Sequence, residues 1–347
     1  MKTKRLLIAL GVALLVLVGY NALIAHLAVR SQRQRALATV THPPGDTSVV
    51  FLGNSLMEAG GDPASFRRGW PANQPAAPSL NLALGATTPV EHYLIWRRAL
   101  AHDLRPQWLV YGFFDDQLNA PALGEWSDLV GNRAFSYYDP ERAAELYSPG
   151  STLKRWELVF TQHVPMLAER SSLWTKVERL RRQFSAIGLP PQKTNRFGRV
   201  NDFGPPGAPE IASFVERCTA ITDTRAGFSA PISQIVQLAH AHQIRVLFVE
   251  MPMPRQHRAA FYAKPIWPRL RAHVRELASA AGATYLNASD WVEDESHFAD
   301  SMHLNPDGAR VFSARLAQSL AQLSQTGETS TPQLAQGQAT PKTEALP

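Results

Sequence analysis

The sequence predicts an α/β protein: a three-layer, doubly wound sheet of about five parallel strands, carrying a large mainly helical insertion and preceded by a transmembrane helix. Three observations carry that expectation. Five short runs are apolar on both faces, as strands buried between two helix layers must be. Segments with helical apolar spacing lie between those runs, and alternation of strand and helix is the pattern of a parallel sheet. Of 347 residues, 45% are hydrophobic and 18% charged, the composition of a chain that buries a core.

In chain order, residues 1–30 read as a membrane anchor. Leu6 to Ala25 is an apolar run of twenty residues broken only by Gly11, Gly19, Tyr20 and Asn21. As a helix it is about 30 Å long, the hydrocarbon thickness of a bilayer. Met1-Lys2-Thr3-Lys4-Arg5 precedes it and no A-x-A cleavage site follows, so an uncleaved signal anchor is expected rather than a removed signal peptide. Arg30, Arg33 and Arg35 match the positive residues ahead of the helix, so charge alone does not orient it. A short cytoplasmic N-terminus and a periplasmic or extracytoplasmic domain are expected, because long domains translocate largely regardless of charge. A net charge of +6 suits anionic envelope polymers or lipid head groups as well as an ordinary solvated surface. The one cysteine, Cys218, permits no internal disulfide. No zinc-finger spacing, P-loop or clustered basic patch points to nucleic acid.

Residues 31–46 are polar, end in Thr41-His42-Pro43-Pro44-Gly45-Asp46 and read as a linker. The main domain is expected over residues 47–323, with strands Val49–Gly53, Leu80–Leu84, Trp108–Phe113, Arg245–Glu250 and Ala283–Asn287. Thr88-Pro89-Val90-Glu91 is a capping box with proline at the first helical position, opening a helix to about His102. Ile232–His242 and Trp267–Ala281 have helical spacing, with Gly282 placed as a C-terminal cap. Asn305-Pro306-Asp307 reads as the cap and first turn of a helix to about Leu323. Residues 120–230 exceed a normal crossover and are expected as a cap, lid or partner-docking insertion, with one helical stretch over Thr152–Phe184 and then a Pro/Gly-rich segment. Trp126, Trp156 and Trp174 are expected as core anchors of that cap rather than platforms for sugar rings. Residues 324–347, rich in Gln, Thr, Ala and Pro, are expected to be a disordered tail.

Ligands of an open α/β sheet bind beyond the carboxyl ends of its strands. Ser55 follows the first strand, Gly85 the second, Asp115 and Asp116 the third, and Met251-Pro252-Met253-Pro254-Arg255-Gln256-His257 the fourth. Ser55 stands at a helix start, where free N–H groups favour an anion. A serine hydroxyl becomes a nucleophile only if a base takes its proton, and that base needs an orienting partner. Asp300 and His303, three apart in the turn before the last helix, offer a carboxylate for one imidazole nitrogen and leave the other for Ser55. Arg255 and His257 are candidates for holding an anionic substrate group. A G-x-S-x-G elbow is absent, since Met57 stands where its second glycine belongs. His240 and His242 diverge around a helix instead of converging on one ion, and no metal or other cofactor is expected.

Taken together, these blocks resemble the SGNH or GDSL hydrolase superfamily of serine esterases and acyltransferases. Gly53-Asn54-Ser55-Leu56 is similar to its first block, with asparagine for aspartate. Gly85 matches the glycine of its second, Gly112-Phe113-Phe114-Asp115-Asp116 its G-x-x-N-D block, and Asp300 with His303 its D-x-x-H block. The resemblance implies an acyl-enzyme on Ser55, His303 as base, Asp300 holding its ring, and an oxyanion hole from the N–H groups of Ser55 and Gly85 with the side chain at 115. Asp115 departs from the family's asparagine: ionised it would repel an oxyanion, and only protonated could it donate. Anchor and insertion resemble the family's O-acyltransferases of cell-surface polymers. An acyl-ester substrate, including acylated polysaccharide, and a multi-span membrane acyltransferase as partner are implied accordingly. Hydrolysis of an O-acetyl or lipid ester is the close competitor. A catalytically silent SGNH-like binding or assembly module of an envelope complex is the alternative of another class, favoured by Asp115 and disfavoured by Ser55, Asp300 and His303.

Overall fold

The computed structural model describes residues 2–28, 38–85, 87–119, 139, 142, 151–162, 164–168, 194–195, 198–199 and 206–325. Strands β1 (Val49–Gly53), β2 (Ser79–Asn81), β3 (Trp108–Phe113), β4 (Arg245–Glu250) and β5 (Thr284–Asn287) form one parallel sheet in the order β2-β1-β3-β4-β5. The chain steps outward from β1 to β2 and returns to β3 on the other side. That reversal opens a crevice beyond the carboxyl ends of β1 and β3.

Strand side chains alternate between two apolar layers, so both faces of the sheet are covered. Val50, Leu52, Leu109, Tyr111, Val246 and Phe248 pack with helices α4 (Pro89–Ala101), α7 (Ala208–Asp223), α8 (Ala230–Ala241) and α9 (Ile266–Ala280). Val49, Phe51, Val110, Leu247 and Val249 meet α2 (Ser55–Gly60), α3 (Pro63–Gly69) and α10 (Pro306–Gln325) on the other face. This is the expected three-layer architecture. Its capping signals are in place: Glu91 accepts the Thr88 N–H at 2.8 Å, and Asn305 Oδ1 accepts those of Asp307 and Gly308. Glu250, 1% exposed, ends β4 paired through both oxygens with Arg271 of α9 at 3.0 and 2.6 Å, and the Tyr285 hydroxyl of β5 donates to it as well. A buried charge is tolerable only with such partners.

Several boundaries differ from expectation. β2 ends at Asn81 because that side chain accepts the Ala83 N–H at 2.9 Å and turns the backbone, although Leu82 and Leu84 still donate to carbonyls of β1. The single helix expected over Thr152–Phe184 is broken into α5 (Thr152–Gln162) and α6 (Pro165–Ala168); Pro165 has no N–H to continue the ladder, and residues 169–184 lie outside the described ones. α7 falls inside the segment read as an insertion, yet its Phe214, Cys218 and Ile221 belong to the main core. Val40, 1% exposed, also joins that core, so the fold takes in part of the segment read as a linker. Trp156 is 64% exposed and anchors nothing, while Trp126, Trp174 and the expected tail beyond Gln325 lie outside the described residues.

Helix α1 (Lys2–Ala28) includes Thr3–His26, a stretch long and apolar enough to cross a membrane. It meets the rest of the chain near its C-terminal end, where Asn21 Oδ1 accepts the Met166 N–H of α6 at 3.1 Å and Ile24 is 3% exposed.

Candidate active site

The site begins with a pair of glycines. Gly53 and Gly112 are direct neighbours across β1 and β3, and Gly53 has a φ of +151°. A Cβ on Gly53 would lie 2.7 Å from the Gly112 carbonyl oxygen, and one on Gly112 would lie 2.6 Å from Met57 Cε. At Gly53 the backbone clash and the positive φ exclude a side chain, while at Gly112 one would have to displace Met57 and Met251. Asn54 caps α2 by accepting the Leu56 N–H at 2.9 Å, which makes Ser55 the first helical residue. Because α2 has only six residues, outside bonds must hold it. Asn81 Nδ2 donates to the carbonyls of Met57 (3.1 Å) and Gly61 (2.7 Å). The Ser313 hydroxyl of α10 donates to Gly60 O at 2.7 Å and accepts the Asp62 N–H at 2.9 Å.

His303 arrives from the turn before α10. An antiparallel bridge between Phe298 and Leu304 closes that turn, with the Ala299 N–H donated to His303 O at 2.7 Å. Gly308 lets the first turn of α10 press on it, since a Cβ there would lie 2.3 Å from His297 O. The result is a hydrogen-bonded chain: Ser55 Oγ is 2.8 Å from His303 Nε2, and His303 Nδ1 is 2.9 Å from both oxygens of Asp300. With the Nδ1 proton given to Asp300, Nε2 presents its lone pair to the serine hydroxyl. Burial works to raise the Asp300 pKa. Hydrogen bonds from the His303 ring and from the N–H groups of His303 and Met302 outweigh it, and the net direction is below the usual carboxylate value. The anion that orients His303 is therefore secure at neutral pH.

Gly85 comes up beside the nucleophile. A Cβ there would stand 3.5 Å from Ser55 Cβ and 2.8 Å from Glu58 Oε2, so a side chain at 85 would have to displace the Glu58 carboxyl. Asp115 is the residue where structure and expectation part. At a φ of +48°, which aspartate tolerates, its Oδ1 lies 3.0 Å from His257 Nε2. The carboxyl thus does not stand alone; it is hydrogen-bonded to the His257 ring. His257, 8% exposed, is wedged against Phe261 and Tyr262, with ring centroids 4.6 and 5.2 Å away. Its Nε2 is committed to Asp115 rather than free for a substrate anion. Both residues line a cleft of about 800 Å³ that runs from Ser301 and Met302, inside the Asp300–His303 turn, to Ser213 and Arg217 of α7. Arg255 does not reach this cleft. It lines a neighbouring open hollow with Glu293, Asp294 and Glu295, where three carboxyl groups face its one guanidinium and disfavour an anionic substrate. Asp116 accepts from Arg217 Nε at 2.7 Å.

Sequence reading missed three things: the partnership of His257 with Asp115, the closeness of Glu58 to Gly85, and the hold of Ser313 on α2. The partners in the first are 142 residues apart with no shared motif. Glu58 carried a local signal, lying one helical turn beyond Ser55 on the same face.

Fold and geometry together define an α/β protein with a linked serine, histidine and aspartate at the carboxyl edge of a parallel sheet. No family model matches the chain, and no curated protein matches it significantly. Among solved structures it is similar to a provisionally named acylhydrolase from Bacteroides fragilis NCTC 9343, at 14% identity and a TM-score of 0.39 over 84% of this chain and 97% of that one. A GDSL-like lipase from Bacteroides thetaiotaomicron VPI-5482 gives 12% identity and 0.38 over 84% and 98%. The lipase/acylhydrolase from Enterococcus faecalis gives 9% and 0.36 over 80% and 96%. Likeness this distant transfers no activity, and the functional reading rests on the chain's own residues.

Proposed function

We propose that the protein is a serine-dependent O-acyl esterase or O-acyltransferase of the SGNH kind, acting through an acyl-enzyme on Ser55. The observation that carries this is the chain from Ser55 Oγ to His303 to Asp300, at 2.8 and 2.9 Å. Ser55 Oγ attacks the ester carbonyl while His303 Nε2 takes its proton. Charge collects on the carbonyl oxygen, for which the N–H groups of Ser55 and Gly85 are the donors. As the tetrahedral carbon collapses, the ester C–O bond breaks and the leaving alkoxide takes the proton from His303. Water or an acceptor hydroxyl then gives its proton to the same nitrogen and displaces Ser55 Oγ, which takes that proton back as the acyl C–O bond breaks. Asp300 remains ionised throughout, holding the imidazole and balancing its transient charge. Cys218 is no rival nucleophile: it is buried, and burial pushes its thiol up to about 12.

The substrate we favour is an acylated polymer or lipid of the cell envelope, reached by a domain that α1 tethers on the outer side of the membrane. The length and apolar character of Thr3–His26 support the tether itself. Labelling the full chain with a fluorophosphonate probe tests the nucleophile: the wild type labels, Ser55→Ala does not, and an unlabelled wild type overturns the assignment. Following an acyl donor with and without a sugar acceptor separates the two reactions, since free acid released at a rate indifferent to the acceptor rules out transfer.

A further inference from the structure

We propose that α5 lies in the boundary layer of the bilayer that α1 crosses, with Leu153, Trp156 and Phe160 set among the lipid chains; the inference rests on reading α1 as a membrane span. Three observations meet here. First, α5 has two apolar faces. Leu158 is fully buried and belongs to the core, and Thr161 beside it is 2% exposed, so the inner face is already satisfied. Leu153, Trp156 and Phe160 recur at spacings of three and four on the opposite face, exposed by 80, 64 and 62%. Arg155, two residues on from Leu153, is turned about 160° from it on a helix of 100° per residue, while the exposed Glu157, about 40° from Leu153, borders the stripe on its other side.

Second, α6, which follows α5 after two residues, is fastened to α1 at one depth. Met166 donates its N–H to Asn21, five residues before the end of the stretch Thr3–His26, which at 1.5 Å per residue is about 7.5 Å along the axis. An interfacial helix buries its apolar face about 5–10 Å into the region between head groups and acyl chains. The attachment therefore sets α5 at the level where α1 leaves the hydrocarbon. Third, the stripe centres on a tryptophan, whose amphipathic ring favours that level. The occupant of the stripe is accordingly the lipid of that same bilayer. α5 then serves as a second foothold, fixing the rotation of the domain about the α1 tether as well as its height.

The test uses the full chain in lipid nanodiscs, with a fluorophore placed on Leu153→Cys, Phe160→Cys, Arg155→Cys or Val12→Cys. Cys218 is buried and stays in place, the parent protein serving as blank. Retained fluorophosphonate labelling shows that each variant folds. The proposal expects labels at 153 and 160 to lose fluorescence to nitroxide-bearing lipid and to resist aqueous iodide, with the label at 155 behaving in the opposite way. A label at 12 reports the span itself. Iodide quenching at 153 and 160, with lipid quenching at 12, overturns the docking of α5 and leaves the anchor standing. Loss of lipid quenching at 12 overturns both. Protection from both quenchers at 153 and 160, with cross-linking to a second copy or another protein, gives the stripe to a protein contact and also overturns the proposal.

Discussion

Asp115 brings a carboxyl to the carboxyl end of β3, the edge on which Ser55 stands, and His257 meets it there with a ring N–H. A carboxylate left without that donor would oppose any anion forming nearby. His257→Ala is therefore expected to lower kcat by about tenfold to a hundredfold, the range set by losing a charge-assisted hydrogen bond. Steady-state kinetics on an acetyl ester measure this, and Asp115→Asn in the same chain restores the rate by removing the charge. A deficit that survives in the double variant would mean that His257 acts in its own right. At the nucleophile the expectations are steeper: His303→Ala costs about 10⁴-fold or more in kcat, and Asp300→Asn about 10⁴-fold by releasing the ring. Ser55, Gly85, Asp300 and His303 were all legible because each sits beside a strand end or a helix cap that leaves a local signal. His257 was legible only as a residue near the right edge. Its real partner is chosen by the packing of the β4 loop against Phe261 and Tyr262, which no local pattern encodes.

Helices of ordinary length were readable from their ends: proline and Glu91 opening α4, Gly282 at φ +67° after α9, Asn305 capping α10. Short elements were not, because their limits are set by tertiary bonds. α2 is held by Asn81 and Ser313, and β2 is cut short by the same Asn81. Ser313→Ala leaves Gly60 O and the Asp62 N–H with only their mutual 3.0 Å bond in a buried seam, a loss expected to cost about 1 kcal/mol in urea unfolding. Its effect on fluorophosphonate labelling should exceed its effect on stability, since the seam joins the helix that begins at Ser55 to the helix that follows His303. Labelling that merely tracks the folded fraction would show the seam to be structural only. Gly53→Ala is expected to be at least as damaging, because strained backbone adds to a 2.7 Å clash with Gly112 O.

Across the whole molecule, the parallel sheet could be anticipated from the alternation of elements, whereas its strand order and the membership of α7 in the core could not, since alternation does not fix the order and α7 sits in a stretch whose Pro/Gly content reads as an excursion. Acid stability belongs to this scale too. Asp300 has a folded-state pKa below its ordinary value of 3.8, so the unfolded chain takes up its proton first as pH falls. Its contribution is full above about pH 5, shrinks through the ordinary carboxylate pKa and is gone below the depressed folded value. Urea titrations of the wild type and Asp300→Asn should differ by a constant amount from pH 7 down to about pH 5 and converge in stronger acid. A gap that widens on acidification would contradict the sign.

The bond between Ser55 and His303 joins residues 248 apart in the chain. During synthesis the amino-terminal part of a chain forms first, so β1 and its serine exist well before the histidine has been made. Even then His303 has no fixed place until α10 docks and Ser313 closes on the end of α2. On the proposed function the hydroxyl therefore has no base while the chain is being made, and a half-made chain attacks no ester. The last helix is in effect a clock, and the serine meets its base when it stops.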